Sequence, residues 1–400
     1  KTLSGLRFAV AHAKTHRKKR IIFTSPLLSI LDQNAKIIRE FIGNDSIITE
    51  HHSNVALDED NADELKRAQL LTENWSSPVI ITTLVLLDTL FAGKTSCIRR
   101  MHALCDSVIV IDEVQTVPNE MLSLFNTAVN FLSEVCGATI VLCSATQPCL
   151  EQTAHPMTEN IKDIAPFDEE LWRVFRRTQI IDKGGMRLDA IPAFIAEQLG
   201  TTDSLLVICN LKKQAAYLFT EMKLENTVIF HLSAGMCMAH RMAVISEINS
   251  ALERKRTNPD APKVVCISTQ VIEAGVDVSF GCVIRLCAGL DSVIQAAGRC
   301  NRNGELNGAA DVFIINCRGE DLGMLRSIKD GKMACMSLLS DYEYHPEKYP
   351  SGLTSDEAVY AYYKKLYIQS DIGAQDMPIK IDGSPFTLFR STGHSRTRLI

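Results

Sequence analysis

Nine short runs of β-branched and aliphatic residues, each closed by a polar cluster and most followed by a stretch of helical periodicity, organise most of this chain. The first series is IIFTSP from Ile21, VIITT from Val79, SVIVIDE from Ser107 and ATIVLCSAT from Ala138. The second is LLVICN from Leu205, TVIFHLSA from Thr227, KVVCIST from Lys263, CVIRLCA from Cys282 and DVFIIN from Asp311. Runs that are apolar throughout suit strands buried on both faces by helices, and not the in/out alternation of a one-sided sheet. The expected fold is therefore α/β, with two tandem sheets of mainly parallel strands.

Four hundred residues exceed one ordinary core, which agrees with two series. From Pro148 to Gly185 the text is polar, proline-bearing and rich in acids and arginines, as in FDEELWRVFRR from Phe167, and reads as a boundary. The expected division is a first domain over 1–165, a linker over 166–186, a second domain over 187–330, and an accessory segment over 331–400. That last segment includes the tyrosine-rich helical stretch AVYAYYKKLY from Ala358. Hydrophobic residues at 46% and charged residues at 22% exclude a disordered chain, and no apolar run approaches the ~18 residues that span a bilayer. A net charge of −5 means that any nucleic acid must be held in a local cleft. Thirteen cysteines, scattered singly with no CxxC pair, argue against a disulfide framework or structural zinc, and a reducing cytoplasm is the expected setting. The first residue is lysine, so the natural amino terminus is expected upstream. The basic cluster from His16 to Arg20 reads as a solvated helix end before a strand.

The chemistry is expected where the strands end, because ligand crevices in open α/β sheets lie outside the carboxyl ends of the strands. SVIVI runs into Asp112-Glu113-Val114-Gln115, the layout of a Walker B element: Asp112 to hold hydrated Mg²⁺, Glu113 to orient and deprotonate a water. A surface pair opening the next helix is the plainer alternative. Lys1-Thr2 precedes a helical stretch, where a phosphate loop would place its lysine on phosphate and its threonine on magnesium, although the glycine-rich part is missing. Ser144-Ala145-Thr146 ends another strand, and STQVIEAGVDVSF from Ser268 adds Thr269, Glu273, Gly275 and Asp277. In QAAGRCNR from Gln295, the spacing predicts Gln295, Arg299 and Arg302 within two turns of one helix face, with Gly298 marking a close approach. Two guanidiniums there suit a γ-phosphate bound to the other domain.

Taken in order, Lys1-Thr2, Thr24 to Pro26, Thr82-Thr83, DEVQ, SAT, STQVIEAGVD and QAAGRCNR resemble the motif series of superfamily 2 helicases over about residues 1 to 316. LLSILDQNAKIIREF from Leu27, EHHSN from Glu50 to Asn54 and STQVIEAGVDVSF resemble, more narrowly, the CRISPR-associated helicase-nuclease of type I systems, most like subtype C. The resemblance implies two RecA-like domains with ATP between them, and a motor loaded onto DNA by an RNA-guided surveillance complex to reel in the displaced single strand. It implies an HD nuclease domain upstream in the same protein. It assigns Lys1 and Thr2 to phosphate and magnesium, Asp112 and Glu113 to metal and water, and Gln115, Ser144 and Thr146 to coupling. Arg299 and Arg302 go to the γ-phosphate, with Gln295, Gly275 and Asp277 completing the nucleotide pocket.

A motor indifferent to sequence grips phosphates with hydroxyls and amides, so Thr24, Ser25, Thr83, Ser233 and Thr269 are the expected single-stranded DNA contacts. His240-Arg241 is a weaker candidate. His51 and His52 are adjacent, so their side chains diverge, and a structural or DNA-facing loop is expected instead of a metal site. Two alternatives stay open: another superfamily 2 motor, such as an RNA helicase or restriction-type translocase, and a non-hydrolysing nucleic-acid-binding adaptor. Gln115 and Gln295 depart from the DEAD-box pattern and lower the RNA option.

Overall fold

A computed structural model describes residues 2–25, 28–52, 70–84, 86–91, 95–158, 161–165, 170, 175–273, 275–306, 308–323, 325–369, 378–381 and 384–387. The chain divides into two compact units, Lys1–Ile161 with Ser370–Ile400, and Lys162–Gln369. Lys1, Pro26, Ser53 and Asn54, all singled out in the sequence, lie outside the described residues.

In the first unit β1 (Arg20–Thr24), β2 (Ile48–His51), β3 (Val79–Thr82), β4 (Ser107–Asp112) and β5 (Thr139–Cys143) form a sheet in the order β2-β3-β1-β4-β5. Every pair is parallel. The four expected runs are β1, β3, β4 and β5. β2 is additional: four residues with three polar ones carry too little apolar signal to announce a strand. Helices Thr2–Thr15 and Leu28–Ile42 place Leu6, Ala9, Leu31, Ala35 and Ile38 against Phe23, Ile81 and Val110. Each leucine or isoleucine so withdrawn from water contributes about 1.5–3 kcal/mol. The register sets Thr24 beside Thr82 and Ile111, and Asp112 beside Cys143, so the polar residues that end the strands share one rim. At the opposite rim Lys18 Nζ donates to Gly137 O at 2.6 Å and Lys19 Nζ to Asp106 at 2.9 Å, so two lysines of the basic cluster tie off the sheet.

The second unit holds β6 (Thr178–Arg187), β7 (Ser204–Cys209), β8 (Thr227–Leu232), β9 (Lys263–Thr269), β10 (Cys282–Leu286) and β11 (Ala310–Arg318) in the parallel order β6-β11-β10-β7-β9-β8. β6 corrects the sequence division, because residues 178–186 were expected in the linker. It is an edge strand with mostly exposed side chains, so burial imposes no apolar run on it. Helices Ile191–Gln198 and Lys212–Glu221 cover one face of the sheet, and Met238–Thr257 and Leu290–Ala297 the other. Helices Arg326–Tyr344 and Asp356–Gln369 pack on each other and on Leu290–Ala297 within this unit, whereas the antiparallel pair β12 (Pro378–Ile381) and β13 (Ser384–Thr387) groups with the first. The expected accessory segment 331–400 is thus divided between the units. No helix among the described residues is long and apolar enough to cross a membrane.

Candidate functional site

On the rim of the first sheet, β4 stops at Asp112 and the chain turns at Glu113, whose φ of 54° is left-handed. A non-glycine residue there carries strain and is held by its surroundings. Three bonds do so: Asp112 Oδ1 accepts from Glu113 N at 3.0 Å, Thr116 Oγ1 donates to Glu113 O at 2.7 Å, and Gln115 Nε2 donates to Glu113 Oε2 at 2.5 Å. Gln115 Oε1 accepts in turn from Ser144 Oγ at 2.6 Å, and the same hydroxyl accepts from Thr146 N at 3.0 Å. Glu113, Gln115, Ser144 and Thr146 are therefore one hydrogen-bonded line joining the ends of β4 and β5. Asp112 and Glu113 are half-buried, Gln115 and Thr146 buried.

Thr24, Ser25 and Thr82 are buried on the same rim and Thr83 is half-buried. Ser25 N donates to Thr82 O at 3.4 Å, and Thr82 Oγ1 to His51 O at 2.9 Å. Thr2 Oγ1 donates to Asn34 Oδ1 at 2.7 Å. His51 lies on a strand and not in a loop, edge-on to Trp75 with ring centroids 5.7 Å apart; burial, Arg100 and His52 push its pKa down to about 4. His52 Nε2 lies 3.2 Å from Glu50 Oε2.

In the second unit, the expectation of one helix face for Gln295, Arg299 and Arg302 is not met. The helix ends at Ala297 with Gly298 as its cap, and the added Cβ of any other residue there would sit 3.2 Å from Gln295 O. Arg299 turns inward, is 8% exposed, and donates to Ile272 O at 3.1 Å and Glu273 O at 2.5 Å. Arg302 stays 39% exposed, with Nε 2.9 Å from Asp277 Oδ1. The two arginines thus hold the loop after β9, where Gly275 takes a left-handed φ of 71°. Ser233 and Thr269 are buried. His240 is exposed, and Arg241 Nη2 donates to Met236 O at 3.4 Å.

Reading the motifs missed Arg285. It is fully buried in β10, with Nη1 donating to Asn210 Oδ1 at 2.6 Å and Leu286 O at 2.8 Å, and Nε in ion contact with Glu273 Oε1 at 2.7 Å. Burial pushes the Glu273 carboxyl up to about 7, against the pull of Arg285. The signal was present in CVIRLCA, since a charge inside a buried run requires a buried partner.

Residues 201–305, the heart of this second unit, match the family described as the CRISPR-associated nuclease/helicase Cas3, C-terminal. Over those residues the chain is similar to that family. The CRISPR-associated nuclease/helicase Cas3 of Haloferax volcanii is 26% identical to it over 412 residues, spanning 76% of this chain and 44% of that one. The crystal structure of T. fusca Cas3-ATP matches with a TM-score of 0.67 at 17% identity, over 92% of this chain and 49% of that one. A chain of a CRISPR RNA-guided surveillance complex in a pre-nicking state matches with a TM-score of 0.60 at 15% identity, over 93% of this chain and 47% of that one. The chain spans about half or less of each of these relatives. Its two parallel sheets with interspersed helices are two RecA-like domains.

Proposed function

We propose that this Cas3-like chain is the motor portion of an ATP-dependent single-stranded DNA translocase and helicase. It acts in CRISPR interference after recruitment by an RNA-guided surveillance complex, with an HD nuclease domain upstream in the same protein. The observation that carries the reading is the hydrogen-bonded line Glu113–Gln115–Ser144–Thr146 on the rim of the first sheet. A carboxylate that hydrolysis uses is thereby tied to the strand end that follows, which is what coupling of hydrolysis to strand movement requires.

The donors fit a hard cation: a half-buried carboxylate at the end of β4 and a threonine hydroxyl opening the helix Thr2–Thr15. Asp112 and Thr2 would hold Mg²⁺, and that ion supplies charge neutralisation on the triphosphate. Glu113 accepts the proton of the attacking water, oriented by Gln115. In the second unit Arg302, the more exposed arginine, is proposed to stabilise the phosphate charge, while Arg299 holds the loop of Gly275 and Asp277. Of the three candidates in the first unit, Thr24 and Ser25 are buried and Thr83 is half-buried, so Thr83 is proposed to meet a DNA phosphate.

An ATP hydrolysis assay of the protein with single-stranded DNA or RNA as stimulant tests the reading. Stimulation by DNA is expected. Stimulation by RNA alone would make the chain an RNA motor, and absence of turnover with either would make it a nucleic-acid-binding adaptor.

A further inference from the structure

The helices that follow β11 carry none of the residues expected at the site, yet a line of buried polar side chains runs from them to the loop of Gly275 and Asp277. Lys332 Nζ, on helix Arg326–Tyr344, donates to Glu320 Oε2 at 2.7 Å. The other oxygen of Glu320 accepts from Asn210 Nδ2 at 3.0 Å and Gln214 Nε2 at 2.9 Å. Asn210 Oδ1 accepts from Arg285 Nη1 at 2.6 Å, and Arg285 Nε lies 2.7 Å from Glu273 Oε1, in the loop itself. Charges along this line alternate Lys, Glu, Arg, Glu, with Asn210 as the neutral splice. The side chains are 13% exposed at Lys332 and 1% at Glu320, 0% at Arg285 and 6% at Glu273. A buried ion stripped of its neighbour is strongly disfavoured, so removing one end of such a line forces the rest to rearrange.

The same helices also grip the helix that carries Gln295. Gly331 lies so close to the turn before Leu290–Ala297 that a Cβ on it would sit 3.1 Å from Gly289 Cα. Tyr362, on Asp356–Gln369, donates its hydroxyl to Asp291 Oδ1 at 2.8 Å, in the first turn of that helix. Mere cover for an apolar face needs neither a buried ion line nor a glycine-to-glycine approach.

We propose that helices Arg326–Tyr344 and Asp356–Gln369 are a positioning element of the second unit, and that Lys332, Glu320, Asn210 and Arg285 are positioning residues that hold Glu273, and with it Gly275 and Asp277. The effect on turnover rests on the motor reading above; the physical link to the loop does not. Its test is Lys332→Met, which removes the charge at similar length, beside Lys332→Arg, which keeps it. Backbone hydrogen exchange in residues 270–277 is expected to rise in Lys332→Met and to return toward the parent in Lys332→Arg, with β8 and β9 unchanged. DNA-stimulated ATPase is expected to lose about tenfold in kcat with KM for ATP within about twofold, the range that coupled networks deliver. Unchanged exchange in 270–277 overturns the proposal, as does a KM effect without a kcat effect. Should the parent protein hydrolyse no ATP, the motor reading fails and the exchange result still decides the link. Should Lys332→Met fail to fold, Tyr362→Phe removes one hydroxyl only: raised exchange across residues 290–297 supports the proposal, and unchanged exchange there overturns it.

Discussion

Gln115 Nε2 lies 2.5 Å from Glu113 Oε2, so a single amide, itself oriented by Ser144 Oγ on its other face, determines where the carboxylate after β4 points. The left-handed turn at Glu113 ends β4 and leads into the short helical turn Val114–Thr116 that carries Gln115.

Glu113→Gln is expected to keep nucleotide binding and to lose hydrolysis by about a hundredfold or more, the contribution of a positioned proton acceptor. Binding of a fluorescent nucleotide and release of phosphate, measured on the same preparation, check it. Turnover at the parent rate would remove Glu113 from the role.

Ser144→Ala leaves Gln115 Oε1 without that donor and frees the amide to rotate. The ratio of DNA-stimulated to basal ATPase is expected to fall by about tenfold, with basal turnover much less affected, as for residues that carry coupling. Equal loss of both rates would mean that Ser144 serves the chemistry and not the coupling.

Arg285→Met leaves Glu273 as an uncompensated buried carboxylate and is expected to cost about 3–5 kcal/mol, whereas Arg285→Met with Glu273→Gln recovers part of that loss. Urea unfolding of the single and double variants reads the difference directly. Two additive losses would show that the pair is not coupled in the folded state.

His51 is held neutral by burial against Trp75 and beside Arg100, with its pKa down at about 4. Because the unfolded chain takes up this proton near pH 6.5 and the folded one only near 4, the contribution of His51 to stability is present above about 6.5 and is lost as pH falls toward 4. Thermal midpoints measured across that window are expected to drop less steeply in His51→Phe than in the parent. Parallel pH profiles would show that another group carries the dependence.

Gly289→Ala is expected to destabilise the second unit by about 1–3 kcal/mol, since an added methyl would collide with Asp291 Oδ1 and Tyr362 OH in a packed contact. Urea midpoints check this, and a midpoint equal to the parent's would mean that the accessory helices yield at no cost.

The strand framework was legible because burial on both faces writes itself into sequence as continuous apolar runs. SVIVI and KVVCIST needed no partner to be read as β4 and β9, and the polar residues at their ends were visible for the same reason. β2 and β6 escaped because short or exposed edge strands carry no such demand. The helical spacing of QAAGRCNR misled for a related reason: spacing describes a helix only while the helix lasts, and this one stops at Ala297.

What the sequence determined by itself was therefore the α/β architecture and the identity of the rim residues, both consequences of local hydrophobic pattern. Only tertiary structure decided that Arg299 turns onto the carbonyls of Ile272 and Glu273, that Gln115 bridges Glu113 to Ser144, and that Lys332 is joined through Glu320, Asn210 and Arg285 to Glu273. These bonds join residues far apart in the chain or set by a turn. Their partners are chosen by which polar groups the packed sheet and helices leave buried together, a geometric outcome that no local pattern encodes.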